Sequence, residues 1–230
     1  MLQTYNAQQQ NSRFYLLDLF RMQEYSYKTI VKTGKGEFSD RGSRFIGYAF
    51  EVTGRSVFKE RYQSIVDLHP KASHFCFAFR IGYEAQDWRC SDNGEPSGTA
   101  GRPILGQLES FELVNAAVVV VRYFGGTLLG VPGLINAYRS AAQLALQHAG
   151  IVEKPKLKLL QLEFDYTLEH EIYRLVKQFS LSIEKSEKGL FSQLTVGVPL
   201  LQFVEANAAF SAVHGLTYQE VVANKDSEST

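Results

Sequence analysis

Ala116-Ala117-Val118-Val119-Val120-Val121-Arg122-Tyr123-Phe124-Gly125-Gly126 is the stretch on which the fold turns. Six apolar residues in a row show no alternation, so they read as a strand covered on both faces, at the centre of a sheet layered by helices. The run stops at Arg122 and breaks at Gly125-Gly126. A helix is expected from about Pro132 to His148, with Leu134, Ala137, Tyr138, Ala141, Leu144 and Ala145 as its buried stripe and Gly150 as its stop. A charge at the end of a buried strand is costly unless it is paired. Asp92 and Glu95 are the candidate partners for Arg122.

Upstream, strands are expected over 25–31 and 43–52, and a helix over 55–68. From Ser73 to Ile81 the residues alternate, Phe75, Phe77, Phe79 and Ile81 facing one way and His74, Cys76, Ala78 and Arg80 the other. The aromatic stripe could imitate a base-stacking platform, but at strand spacing it reads as core. Residues 84–101 read as a polar, glycine-rich loop, and 103–111 as a helix with Pro103 in its first turn. Glu153 to Lys156 reads as a linker. Beyond it the order is strand, helix, strand, strand, helix, strand, with strands near 157–166, 181–187, 191–198 and 216–222 and helices near 168–179 and 200–213. Thr167 is expected to cap the first of these helices, and Lys188-Gly189 to turn the hairpin. The β-α-β-β-α-β order is the ferredoxin-like pattern. The fold class is thus α+β in two domains, 22–153 and 157–224.

The 230 residues are 45% hydrophobic and 21% charged, with zero formal net charge. That balance does not favour strong non-specific nucleic-acid binding, which draws on a basic excess. Residues 22–155 hold 15 Lys and Arg against 13 Asp and Glu, and nine of the cations are Arg; residues 156–230 hold 7 against 10, with one Arg. Arg suits bidentate contact with phosphate or carboxylate, so the first domain is the better candidate for an anion site. Two cysteines, Cys76 and Cys90, do not make a disulfide scaffold. No apolar run approaches the roughly 18 residues of a membrane span, and 14–20 lacks the flanks of a signal peptide. A cytoplasmic protein without a membrane partner is expected. Residues 1–21 are expected to be a disordered or non-native extension, with translation starting at Met22.

The chemistry-bearing loop is Ser91-Asp92-Asn93-Gly94-Glu95-Pro96-Ser97-Gly98-Thr99-Ala100-Gly101-Arg102-Pro103. Glycines let backbone N–H groups turn toward a ligand, and the following helix N-terminus favours negative charge. Ser97 and Thr99 add hydroxyls and Arg102 adds charge. The loop is a candidate cradle for an anion such as phosphate or sulfate, but it has no Walker-type Gly-Lys-Ser/Thr. The candidate binding set is Asp92, Glu95, Ser97, Gly98, Thr99, Gly101, Arg102, Arg122, Gly125 and Gly126. His69, His74 and Cys76 lack a fourth metal ligand, so neither metal nor cofactor is expected. Cys76 as a nucleophile with His74, and Asp92 with Glu95 as an acid/base pair, are weaker readings than a buried thiol and structural carboxylates.

The two segments 91–105 and 118–138 resemble the signature of the IMPACT/YigZ family, and Ser43-Arg44-Phe45-Ile46 and Ala72 to Cys76 also look like family positions. The resemblance spans roughly 22–224. It implies a first domain like the second domain of a small-subunit ribosomal protein, with a left-handed β-α-β crossover against the usual hand. It also implies a ferredoxin-like second domain similar to one in elongation factor G. Leu128 stands where the family commonly has Lys, and Pro132 where it has Gly, which leaves any anion site leaning on Arg102, Arg122 and the 98–101 amides. The function implied is a non-enzymatic, translation-associated regulator that binds RNA, the ribosome or a translation-factor partner. The alternative is an enzyme acting on a small phosphorylated or carboxylated metabolite, with Glu95 and His74 near the anion cradle.

Overall fold

The computed structural model describes residues 24–189 and 191–221. The chain divides into two units, one over Tyr27–Lys154 and one taking Met1–Ser26 with Pro155–Thr230. The expectations for 1–21 and for the tail from Asn224 lie outside the described residues. The architecture is mixed α and β in both units.

In the first unit, β2 (Gly34–Asp40), β3 (Ser43–Glu51), β4 (His74–Ile81), β5 (Asp87–Ser91) and β6 (Ala116–Tyr123) form one sheet in the order β2-β3-β6-β4-β5. Every neighbouring pair is antiparallel. Strands β3 and β4 flank β6, both antiparallel to it, so they run parallel to each other one strand apart. The helix between them, α1 (Arg55–Leu68), carries that crossover.

β6 sits in the middle, as its apolar run requires. Val119 and Val121 pack with Phe58 and Ile65 of α1 and with Phe79 on one face. Val118 and Val120 pack on the other face with α2 (Gly101–Ser110) and α3 (Gly130–Ala149). Phe75, Phe77 and Phe79 lie in the α1-side core, where the Phe58 ring is 4.9 Å from Phe77 and 4.8 Å from Phe79. The aromatic stripe is therefore core. α3 buries Leu134, Ala137, Tyr138, Ala141 and Ala145 as expected; Ala142, Leu146 and Ala149 extend the stripe, and Leu144 stays half-buried.

Three elements depart from the sequence reading. β2 lies between the two expected strands, where the sequence reading assigned no element; there Gly34 and Gly36 let the backbone of α3 approach, and a Cβ on Gly34 would lie 2.2 Å from the Ala145 carbonyl oxygen. β5 lies inside the expected 84–101 loop. Its polar Asp87-Trp88-Arg89-Cys90-Ser91 becomes a strand because β4 offers an open edge. The chain divides within the expected linker 153–156, between Lys154 and Pro155, but Glu153 to Pro155 are not free chain: they belong to β7 (Ile151–Pro155), which pairs with β1 (Ser26–Ile30). β7 finds its partner β1 at the far end of the first unit's sequence, whereas β2 and β5 pair with the adjacent β3 and β4 as hairpins although their own residues carry no strand signal.

The second unit runs β8 (Leu157–Phe164), α4 (Glu169–Gln178), β9 (Ser182–Glu187), β10 (Ser192–Pro199), α5 (Phe203–Ser211) and β11 (Thr217–Val221). Its sheet order is β11-β8-β10-β9, antiparallel throughout. Leu160, Leu162 and Phe164 alternate into a core with Ile172, Leu175, Val196, Val198 and Phe210. Thr167 does not cap α4 with its side chain; Asp165 accepts from the Thr167 amide at 2.9 Å, one turn earlier. β9 is exposed along its length and charged, which protects a sheet edge.

Candidate functional site

The glycine-rich loop joins β5 to α2, and its conformation is set by Asp92. One Asp92 oxygen, Oδ1, accepts from the amides of Ala100 (3.0 Å) and Gly101 (2.8 Å), and Oδ2 accepts from Gly98 (2.9 Å). These are the amides expected to cradle an external anion. They hold the protein's own carboxylate instead, which caps the N-terminus of α2 in place of a side chain at Ala100. Burial pushes the Asp92 carboxyl up, but the amides of Gly98, Gly101 and Ala100 together outweigh it and hold the group below its usual value. Gly98 adopts φ +77°, and a Cβ on Gly101 would lie 2.7 Å from the Ser91 nitrogen, so both positions require glycine.

Glu95 solves the problem posed by Arg122. The Arg122 Nη1 donates to Glu95 Oε1 at 2.6 Å, and Tyr138 Oη donates to the same oxygen at 2.8 Å. Arg122 is 5% exposed and Glu95 9%. Arg122 is thus no surface cation: it pins the loop from within, while its Nη2 reaches Ser43 Oγ at 3.4 Å. Its guanidinium lies over the rings of Phe45 (5.3 Å) and Phe124 (5.4 Å). Asp92, the other expected partner, is not paired with it. Among the described residues the Arg122 Nε has no partner.

His74 Nδ1 donates to the Asn93 carbonyl at 2.8 Å, and its Nε2 stands 3.9 Å from Glu95 Oε1, beyond hydrogen-bond reach. Cys76 Sγ donates to the Asp92 carbonyl at 3.0 Å. Burial pushes the Cys76 thiol up to about 12, the opposite of what a nucleophilic cysteine needs. Burial, with Cys76 nearby, also drives the Tyr138 phenol well above its ordinary range. His69 is elsewhere, clamped between Tyr48 Oη (2.7 Å) and Tyr123 Oη (2.8 Å). Burial, followed by Lys35 and Arg44, holds its imidazole below the usual value. Among the described residues no three His, Cys, Asp or Glu side chains gather as a metal site.

The remaining candidates divide between loop support and surface. Thr99 Oγ1 donates to the Pro96 carbonyl at 2.7 Å and is buried. Gly125 packs on the β2–β3 turn, where a Cβ would lie 1.9 Å from the Gly42 carbonyl carbon, and its amide donates to Ser43 Oγ at 3.2 Å. Ser97, Gly126 and Arg102 are exposed. The Arg102 guanidinium lies 5.6 Å from the centre of the half-exposed Trp88 ring. It also lines a cleft of about 380 Å³ with Gly98, Pro103, Gly106, Gln107, Ile135 and Arg139. Arg122 takes no part in that cleft. Sequence reasoning missed Ser43, Asn93 and Tyr138 as loop supports, since their partners lie 43 or more residues away for Tyr138 and Ser43. It also missed Trp88, Gly106 and Arg139; the register of Arg139 on the exposed side of α3 was the one signal available.

The chain has relatives. Residues 41–146 match the Impact N-terminal domain. The chain is 34% identical over 184 residues to the IMPACT family member YvyE of Bacillus subtilis, covering 74% of this chain and 85% of that protein. It is 35% identical over 168 residues to the IMPACT family member YigZ of Escherichia coli, covering 72% and 82%. A solved structure titled as that of a hypothetical protein superposes with a TM-score of 0.67 at 30% identity, covering 87% of this chain and 99% of that one. With both loops falling inside the matched domain, and relatives aligned over most of their length, the chain belongs to the IMPACT family.

Proposed function

We propose that this protein is a non-enzymatic, translation-associated regulator that binds RNA, free or on the ribosome, through the surface around Arg102. The observation that carries this reading is the exposed Arg102 guanidinium over the half-exposed Trp88 ring, a pairing of charge and aromatic face suited to nucleic acid. Membership of the IMPACT family supports a translation-related role. The competing reading, catalysis by Glu95 with His74, needs a carboxylate free to exchange a proton. Glu95 Oε1 already serves Arg122 and Tyr138, and Asp92 serves three amides, so binding is the better-supported role.

Zero net charge and a few discrete Arg contacts imply moderate affinity that falls with salt. Cosedimentation with ribosomes and RNA retention at low salt, wild type beside Arg102→Ala, tests the reading. Loss in a still-folded variant supports it; unchanged binding removes Arg102 from the interface, and no binding by wild type removes the function.

The second unit is proposed to be ferredoxin-like, like a domain of elongation factor G, supported by its element order and by the β11-β8-β10-β9 sheet. The β3-α1-β4 crossover is proposed to be left-handed, as the ribosomal-protein resemblance implies; a right-handed crossover in a crystal structure would overturn that resemblance.

A further inference from the structure

The cleft between α2 and α3 holds a feature that the fold does not need. Gly106 sits in the middle of α2, where glycine weakens a helix relative to alanine. Other glycines of this unit have packing reasons: Gly34, Gly36 and Gly47 admit α3, and Gly125 meets Gly42. Gly106 has none, since a Cβ there would meet nothing within 4 Å, and its φ is not in the left-handed region. It lines the cleft beside Arg102 of the same helix and Arg139 of α3. Both arginines are exposed, and neither forms an ion pair among the described residues. Gln107 adds an amide, and Pro103 and Ile135 add apolar wall.

We propose that this cleft is a phosphodiester site for single-stranded RNA, with Arg102 and Arg139 on the phosphate, Gly106 keeping the floor low enough for the backbone to approach, and Trp88 offering its ring to an adjacent base. The inference rests on the RNA-binding reading above and assigns it a place. Two guanidiniums from different helices present forked donors to one anion. The half-exposed Trp88 ring beside Arg102, at the side of the cleft, completes the combination of charge and aromatic face on which single strands bind with little sequence preference. The buried Arg122 and the Asp92-filled amides play no direct part.

The test uses the full chain, a fluorescently labelled oligouridylate and, separately, inorganic phosphate. Arg102→Ala and Arg139→Ala are expected to weaken oligonucleotide binding several-fold, and each to lower the slope of log K against log salt by about one. Gly106→Ala is the discriminating variant: it should melt at the same temperature or higher, because alanine favours the helix, yet bind the oligonucleotide several-fold more weakly. Wild-type binding with all three variants unchanged overturns the cleft and leaves the RNA reading standing. No oligonucleotide binding by wild type overturns both. Capture of phosphate alone, with no oligonucleotide bound, overturns the single-strand assignment in favour of a small phosphorylated ligand.

Discussion

At Glu95 a single carboxylate oxygen serves two buried donors, Arg122 Nη1 and Tyr138 Oη. Removing its charge leaves Arg122 buried without a counter-ion, a change that typically costs about 3–5 kcal/mol. Glu95→Gln is therefore expected to lower the urea midpoint of the first unit sharply, and Glu95→Gln/Arg122→Met to recover part of the loss, because an uncharged pair leaves no stranded charge. Asp92 titrates below its unfolded value, so its contribution is fully present above that unfolded value, near 3.8, and is lost as pH falls through the lower folded one. Acid unfolding of wild type should thus steepen below about pH 4. Asp92→Asn should be less stable at pH 7, by about 1–3 kcal/mol, and show a shallower acid limb. Cys76, with its thiol raised to about 12 by burial, should resist alkylation at pH 8 in the native protein and react after unfolding, as mass spectrometry of labelled peptides would show.

The elements of the first unit are held close by glycines that no periodicity identifies. Gly47 of β3 faces α3, and a Cβ there would lie 2.4 Å from the Ala141 carbonyl oxygen. Gly47→Ala should therefore cost at least about 1–3 kcal/mol, read as a drop in thermal midpoint. α1 and β4 were legible from their apolar spacing, β6 from an unbroken apolar run and α2 from Pro103 at its start: α1 was expected over 55–68 and spans Arg55–Leu68. β2, β5 and β7 were not, since Gly34-Lys35-Gly36, the polar run of β5 and the charged Glu153-Lys154 carry no strand signal of their own. They become strands because a neighbouring strand leaves an edge to be paired.

Each unit of the molecule has its own core, around β6 in the first and around β8 and β10 in the second. A fragment spanning 26–155 is expected to fold and to keep the proposed RNA-binding surface, since Trp88, Arg102, Gly106 and Arg139 all lie within Tyr27–Lys154. Circular dichroism and oligonucleotide titration of the fragment beside the full chain check this; a folded fragment that binds no RNA would move the interface out of this unit. Among the described residues no helix is long and apolar enough to cross a membrane.

By itself the sequence determined the buried central strand, the helices layered on it, the element order of the second unit, the need for Arg122 to find a carboxylate and the family. These follow from local spacing and from residue chemistry, which travel with the chain. Tertiary structure decided which carboxylate answers Arg122, that Asp92 fills the amides of the glycine-rich loop, and that Arg102, Gly106 and Arg139 line one cleft. Those outcomes depend on which backbones approach one another: sheet register and helix packing bring Arg122 to Glu95, 27 positions away, and even the Asp92 contacts with amides 6 to 9 positions on require the loop to fold back onto itself.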